Sequence, residues 1–170
     1  MRKPLIAGNW KMNTTAASGA ELAAAVAAGA GDLDAVDLLV CPPSVYLAAV
    51  KSAVGDAAVA VGAQNMYHEA SGAFTGELSA DMLKDVGCTY VILGHSERRT
   101  LFGETDELIN KKVKYSLANG LRPIFCVGET LAEREAGQVE AVLTRQINYG
   151  LSGVDDAGLA KTVIAYEPVW

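Results

Sequence analysis

Two features of the 170-residue sequence predict a parallel α/β fold. Short apolar runs recur along the chain, and the segments between them carry apolar residues three or four positions apart. This alternation of strands and helices is the pattern that builds parallel sheets, and runs that are apolar throughout are typical of parallel strands covered on both faces. Since no linker or shift in composition divides the sequence, we predict a single domain over residues 1–170.

Six apolar runs are the predicted strands. In chain order they are residues 5–7, 38–40, 58–61, 90–93, 124–127 and 163–165. Six strands joined by helices fit both an open doubly wound sheet and a barrel. No Gly-x-Gly-x-x-Gly follows the first run, which weakens the dinucleotide-binding form of the open sheet. Periodicity alone leaves the choice between sheet and barrel open.

Hydroxyl side chains mark the predicted starts of three helices. Ser18 and Thr130 each stand three residues before a glutamate, which is the capping-box pattern. Thr105 precedes a segment with one apolar face, so we expect it to cap that helix. The dipeptide 119–120, Asn-Gly, is a typical C-terminal stop for the same helix.

The composition restricts the class of protein. The sequence is 51% apolar, which excludes a disordered chain, and no apolar run approaches the roughly 20 residues of a membrane span. With 14 basic and 20 acidic residues the net charge is −6, which argues against general binding to nucleic acid or to an anionic membrane. Three widely spaced cysteines and the lack of a signal-peptide pattern predict reduced thiols and a cytoplasmic location.

Polar residues follow three of the predicted strands. Asn9 and Lys11 follow the first strand, His95 follows the fourth, and Glu167 ends the sixth. Taken singly, the lysine fits a solvated loop, the histidine a helix cap and the glutamate a partner for an arginine. Because the carboxyl ends of parallel strands meet on one side of the fold, we expect these side chains to converge there. The residues by themselves predict a parallel α/β enzyme that acts on a small anionic molecule.

Two further residue types carry weaker signals. His68 lies in a polar, glycine-containing stretch without nearby cysteine or a paired histidine, so we do not expect it to bind a metal. The cysteines lie in strands or turns and are expected to pack as small apolar residues, with Cys126 in a position to support the site.

Five segments together resemble the triosephosphate isomerase family. They are AGNWKMN (7–13), GAQN (62–65), GAFTGE (72–77), LGHSERR (93–99) and AYEPVW (165–170), and they occur in the order of the family. The resemblance implies a (β/α)₈ barrel that interconverts dihydroxyacetone phosphate and D-glyceraldehyde 3-phosphate without a cofactor or a metal.

The resemblance also implies residue roles. Glu167 matches the base that moves a proton between two carbons, His95 matches the group that polarises the carbonyl, and Lys11 matches the cation that attracts the phosphate. Asn9 matches a neighbouring donor to the substrate. Ser96 and Glu97 match residues that support the histidine and the lysine.

The stretch from Gln64 to Glu77 resembles the loop through which members of the family form homodimers. Thr75 would be its tip, and Gln64, Asn65 and Phe74 would be further dimer contacts. We therefore expect a homo-oligomer whose substrate is a small triose phosphate.

The chain ends at Trp170, which the resemblance places just after the sixth strand. On this basis we expect an incomplete barrel of about six strands, without the lid and the seventh and eighth strands, and with two unpaired edges. Two functions then remain open for the 170 residues. One is isomerase activity, which we expect to be weak or absent in this chain; the other is a non-catalytic, self-associating piece of the enzyme.

Overall fold

The computed structural model describes residues 3–31 and 35–170. In chain order the elements are β1 (Leu5–Asn9), α1 (Ala16–Ala30), β2 (Asp37–Cys41), a 3₁₀ turn (Ser44–Tyr46), α2 (Leu47–Val54), β3 (Val59–Ala63), α3 (Ala80–Asp85), β4 (Tyr90–Leu93), α4 (Ser96–Leu101), α5 (Asp106–Ala118), β5 (Arg122–Val127), α6 (Leu131–Glu135), α7 (Val139–Gly150), α8 (Asp156–Lys161) and β6 (Val163–Tyr166). The strand order is β1-β2-β3-β4-β5-β6, so each strand follows its predecessor in the chain.

The chain divides into two compact units. The first contains the described residues up to Asn65 together with Asp81–Val91. Within it, β1 pairs with β2 and β2 with β3, all in parallel, and β3 pairs with the first residues of β4. Helices α1 and α2 pack on each other. The strands β2 and β3 are mostly buried, and they form the core of this unit.

The second unit contains Met66–Ala80 and Ile92–Trp170. Here β5 and β6 are parallel neighbours, and helices α5 and α7 pack against each other and against β5. The ring of Phe125 on β5 is fully buried in this core. Gly150 at the end of α7 leaves it room, because a Cβ atom there would lie 2.4 Å from the ring.

The predicted fold class is confirmed, since six strands alternate with helices and the paired strands are parallel. The strand bounds differ from prediction by at most two residues at either end. Strands β1 and β6 are not covered on both faces, unlike typical parallel strands, and this agrees with the two unpaired edges expected of an incomplete barrel. The side chains of Ile6 and Ile164 are 60% and 51% exposed. Among the described residues β1 pairs with β2 alone and β6 with β5 alone.

One predicted helix start is also wrong. Helix α1 is capped by Thr15, whose hydroxyl accepts a hydrogen bond from the backbone N–H of Ser18. Ser18 is therefore the third helical residue, and its own hydroxyl completes the capping box by accepting from the Thr15 N–H. The predicted caps Thr105 and Thr130 are confirmed, because each accepts from the N–H three residues later.

Within the described ranges, none of the helices combines the length and the apolar character that crossing a membrane requires.

Candidate active site

His95 is held in one orientation by the turn that follows β4. Gly94 has a φ of +73°, a left-handed conformation that glycine adopts without strain, and His95 is the N-cap of α4. The Nδ1 atom of His95 accepts a hydrogen bond of 3.2 Å from the backbone N–H of Glu97. Because Nδ1 is an acceptor, the proton of the neutral ring lies on Nε2. The ring is almost wholly buried, and this N–H is its remaining polar atom.

Glu167 directly follows β6 and faces that N–H. Its backbone N–H donates to the carbonyl of Val127 at 2.9 Å, which extends the pairing of β5 and β6 by one residue. The Oε2 atom of Glu167 lies 3.3 Å from Nε2 of His95. Half of the glutamate side chain is exposed, so the carboxylate is open to a molecule that approaches from solvent. The two predicted catalytic residues of the second unit are therefore in direct contact.

A small cavity adjoins this pair. It is lined by Gly94, Ser96, Arg99, Cys126, Val127, Gly128 and Glu167. Four of the lining residues received no role from the sequence, namely Gly94, Arg99, Val127 and Gly128. Ser96, predicted to support the site, begins α4 and reaches the same cavity.

Arg99 connects the ends of β4 and β5. Its guanidinium donates to the carbonyl of Gly94 at 2.7 Å and to that of Cys126 at 3.2 Å, and it forms an ion pair with Asp106. The residue before His95 and the end of β5 are thus fixed to one rigid side chain. From the sequence alone, Arg99 is one of two adjacent arginines, and nothing local distinguishes it from its neighbour.

Cys126 is buried beside these groups. Burial raises the pKa of its thiol to about 12, and the negative charge of Glu167 contributes in the same direction. The thiol is therefore uncharged at neutral pH and packs as a small apolar group, as the sequence predicts. Its supporting role remains a prediction.

A buried carboxylate, that of Glu129, organises the segment after β6. Glu129 accepts hydrogen bonds from Arg134, Tyr166 and Trp170, and its carbonyl accepts from the N–H of Val169. Burial alone raises the pKa of Glu129, but its hydrogen bonds outweigh this and hold the pKa below the usual range. This contact joins the residues on both sides of Glu167 to the loop after β5.

Asn9 and Lys11 lie in the first unit, where the end of β1 turns sharply. Lys11 has a φ of +53°, which is uncommon for a residue with a side chain and is often found at functional sites. Its backbone N–H donates to Oδ1 of Asn9 at 3.0 Å. The amide of Gln64 donates to the carbonyls of Lys11 and Cys41, both at 2.9 Å. The turn that carries the lysine is therefore fixed, while the lysine itself is exposed.

The predicted dimer loop has an internal structure of its own. The N–H of Tyr67 donates to the carbonyl of Leu78 at 2.8 Å, and the rings of Tyr67 and Phe74 are 4.6 Å apart. Thr75 is exposed, and Phe74 is 39% exposed. The dimer contacts of Gln64, Asn65, Phe74 and Thr75 stay a prediction.

The described residues contain no group of three or more His, Cys, Asp or Glu side chains placed to hold a metal ion. The Nδ1 atom of His68 is buried without a hydrogen-bond partner, and burial lowers the pKa of this histidine. The ring of His68 packs against that of Tyr67 in a tilted arrangement, with a centroid distance of 4.4 Å.

The fold and the contact between His95 and Glu167 define a parallel α/β protein whose candidate catalytic side chains follow the carboxyl ends of its strands. A family model described as triosephosphate isomerase matches residues 4–170. The chain belongs to the triosephosphate isomerase family.

Relatives with that name show how much of the family's length is represented. The triosephosphate isomerase of Herpetosiphon aurantiacus is 54% identical over 170 residues, all of this chain and 68% of the relative. That of Rhodopirellula baltica is 56% identical over 169 residues, which is 99% of this chain and 66% of the relative. That of Chloroflexus aurantiacus is 52% identical over 170 residues, all of this chain and 68% of the relative. The chain spans about two-thirds of the length of these relatives.

Proposed function

We propose that this protein interconverts dihydroxyacetone phosphate and D-glyceraldehyde 3-phosphate, with Glu167, His95 and Lys11 as the reacting and binding groups. The observation that carries the proposal is the distance of 3.3 Å between Nε2 of His95 and Oε2 of Glu167. A base and a fixed hydrogen-bond donor at this separation can act on adjacent atoms of one small substrate.

In the proposed reaction, Glu167 moves the proton. Its carboxylate takes a proton from the carbon beside the substrate carbonyl, and the electron pair of that C–H bond forms the carbon–carbon double bond of an enediolate. The protonated carboxyl then returns a proton to the neighbouring carbon. The proton of the substrate hydroxyl passes to the oxygen that began as the carbonyl, so that the first carbon becomes the carbonyl and the second carries the hydroxyl. One carboxylate performs both steps, so the reaction needs neither a cofactor nor a metal.

His95 stabilises the oxygen on which negative charge develops. Its Nε2–H is the available donor because Nδ1 is occupied by the N–H of Glu97. A donor held in place before the reaction needs no reorganisation when the charge appears, which is the main advantage of such groups. Ser96 and Glu97 support this arrangement through the first turn of α4.

Lys11 supplies a positive charge for the phosphate, with Asn9 as a neighbouring donor. The support is the strained turn at Lys11, whose backbone is fixed through Asn9 and Gln64. A strained backbone costs free energy, and such residues cluster at functional sites. The strain at the exposed, well-anchored lysine therefore supports a role for its side chain. The protein would act in the cytoplasm on this small anionic substrate.

The working form would be a homodimer formed through the loop that carries Thr75. The exposure of Phe74 and Thr75 supports an interface there. The amide of Gln64 is already used inside the chain, so we assign Gln64 to the base of the loop, where it holds the Lys11 turn.

The 170 residues alone also fit a second function, self-association without catalysis. The feature that favours it is the exposure of two apolar strands. Ile6 on β1 and Ile164 on β6 are more than half exposed. The half-exposed carboxylate of Glu167 would also react less efficiently when water surrounds it. We therefore expect weak isomerase activity or none from this chain alone, together with concentration-dependent association.

The two functions are separated by assaying the purified chain beside Glu167→Gln and the matched control Glu135→Gln. Glu135 is an exposed carboxylate at the end of α6. Isomerase activity that falls by about 10²-fold or more in Glu167→Gln, and is unchanged in Glu135→Gln, would support the enzyme. Equal rates in all three proteins, with light scattering that reveals oligomers, would support self-association and contradict catalysis by this chain.

A further inference from the structure

Gln146 lies on the buried side of α7 and binds one residue at two points. Its Oε1 atom accepts from the backbone N–H of Gly128 at 2.9 Å, and its Nε2 atom donates to the carbonyl of the same glycine at 3.0 Å. The side chain is 4% exposed, so water does not replace these bonds. A buried amide with both ends engaged fixes the peptide orientation on both sides of Gly128.

Gly128 in turn lies against the backbone of Glu167. A Cβ atom built on Gly128 would be 1.8 Å from the Glu167 carbonyl oxygen, far inside van der Waals contact. On the other side of this contact, the N–H of Glu167 bonds to the carbonyl of Val127. The backbone of Glu167 is therefore placed by residues 127–128, and residue 128 is held by Gln146.

We propose that Gln146 is a positioning residue for Glu167, acting through the backbone of Gly128. Its catalytic consequence rests on the proposed function, in which Glu167 is the base. Without the amide, the N–H and the carbonyl of Gly128 lose the partner that both share in Gln146, and the adjoining peptide planes rotate to find others. The Glu167 backbone follows, and its carboxylate moves away from Nε2 of His95.

The test compares Gln146→Met with Asn110→Leu. Methionine fills a similar volume without the two hydrogen bonds. Asn110 is the matched control, since its amide also donates to two backbone carbonyls, those of Gly150 at 3.0 Å and Ser152 at 2.9 Å. Both substitutions remove a side-chain amide from the second unit, but only Gln146 contacts Gly128.

The exchange rate of the Glu167 amide hydrogen, measured on the ¹⁵N-labelled chain, reports whether the backbone of Glu167 stays in place. This measurement does not depend on an assay of activity. In Gln146→Met, the Glu167 N–H should exchange about tenfold faster or more relative to the Leu121 N–H, which bonds to Ser116 in the same unit. In Asn110→Leu this ratio should be unchanged. If Gln146→Met does not fold, Gln146→Glu keeps the volume and the acceptor for the Gly128 N–H and is expected to show a smaller change in the same direction. The proposal would be overturned if the ratio of the Glu167 to the Leu121 exchange rate were the same in Gln146→Met as in Asn110→Leu.

Kinetics add a second readout wherever the isomerase is active. Gln146→Met should lower kcat by about 10- to 100-fold with little change in KM, because misplacing a base affects the chemical step more than binding. An inactive parent protein would favour the second function, self-association, over isomerase activity of this chain, and the exchange ratio would still decide the role of Gln146. Unchanged exchange in an active enzyme would contradict the role of Gln146 alone.

Discussion

His95 and Glu167 receive their positions from backbone contacts rather than from each other. The histidine ring is oriented by the N–H of Glu97, and the preceding carbonyl is bound by Arg99. The glutamate backbone is bound by Val127 and lies against Gly128. The position of each catalytic candidate thus depends on neighbouring residues that take no part in the proposed reaction. We therefore expect small changes in those neighbours to have large effects on His95 and Glu167.

Gly128→Ala should displace Glu167 although it adds only one methyl group. Its Cβ would need to occupy a point 1.8 Å from a backbone carbonyl, so the chain around Glu167 has to move. A shift of about 1 Å in a catalytic group can cost about 10²-fold in rate. We expect kcat to fall by that order in an active form of the protein.

The control for this substitution is Gly29→Ala. Gly29 lies in α1 with no atom within 4 Å of the added methyl group, and alanine favours a helix by about 1 kcal/mol. It should leave kcat unchanged and slightly raise the free energy of unfolding. Equal kcat values for Gly128→Ala and the parent protein would show that the close contact with Glu167 is relaxed without consequence.

At the level of the elements, α1, α5 and α6 begin where the hydroxyl of a threonine replaces a missing backbone partner. Thr130 caps α6 with a full capping box, in which the carboxylate of Glu133 accepts from the Thr130 N–H at 2.8 Å. Helix α6 has only five residues, so its own hydrogen bonds are few and the cap is a large part of its stability. This short helix follows Glu129, which binds the segment after β6.

Thr130→Ala should therefore lower the free energy of unfolding by about 1 kcal/mol, the usual cost of losing an N-cap. Urea denaturation followed by circular dichroism gives this value. Thr144→Ala is the control, because Thr144 is exposed within α7 and alanine has the higher helix propensity there. An equal loss of stability in both variants would contradict the capping role.

The elements that the sequence predicts best are those whose residues signal their own structure. Strand β4 matches its predicted bounds because four apolar residues are followed by a glycine with positive φ. The start of α1 was misplaced because Thr15 and Ser18 are both good caps, and the choice depends on which hydroxyl reaches the free N–H. The exposure of β1 and β6 follows from the two unpaired edges that the resemblance predicts, because a local pattern contains no information about neighbouring strands.

The candidate site is likewise predictable only where the residues signal their own position. His95 and Glu167 follow predicted strands, and their contact is the outcome that parallel topology favours. Gln146 and Arg99 could not be selected in this way. Each acts on a carbonyl or an N–H far away in the chain, and a polar residue in a helix has the same local pattern whether it faces solvent or a backbone.

At the scale of the whole molecule, a buried ion cluster makes stability depend on pH. Glu104 accepts hydrogen bonds from Arg98 and Lys112 through a single oxygen, and both Glu104 and Lys112 are nearly fully buried. Burial alone raises the pKa of Glu104, but the two cations outweigh it and the pKa lies below its ordinary value of 4.5. The folded chain therefore binds fewer protons at this carboxylate than the unfolded chain does.

The stability contributed by this cluster is present above the ordinary pKa of 4.5 and is lost as the pH falls through the lower pKa of the folded state. At neutral pH, Glu104→Gln should cost about 3–5 kcal/mol, because it leaves buried cations without their counter-charge. The difference in unfolding free energy between the parent and this variant should stay nearly constant from about pH 7 down to the ordinary pKa of 4.5 and shrink as the pH is lowered further. A difference that stays constant below pH 4.5 as well would contradict the assignment. Glu135→Gln, on the surface, should show no such trend.

In the proposed function, Glu167 moves a proton at the carbon beside the substrate carbonyl while His95 binds the carbonyl oxygen. The most direct measurement is the uptake of solvent deuterium into dihydroxyacetone phosphate, followed by NMR, with the parent protein, Glu167→Gln and Glu135→Gln. We expect slow incorporation of deuterium at one carbon by the parent and by Glu135→Gln, and a rate at least about 10²-fold lower with Glu167→Gln. Deuterium uptake that is equally fast without the carboxylate of Glu167 would contradict this function.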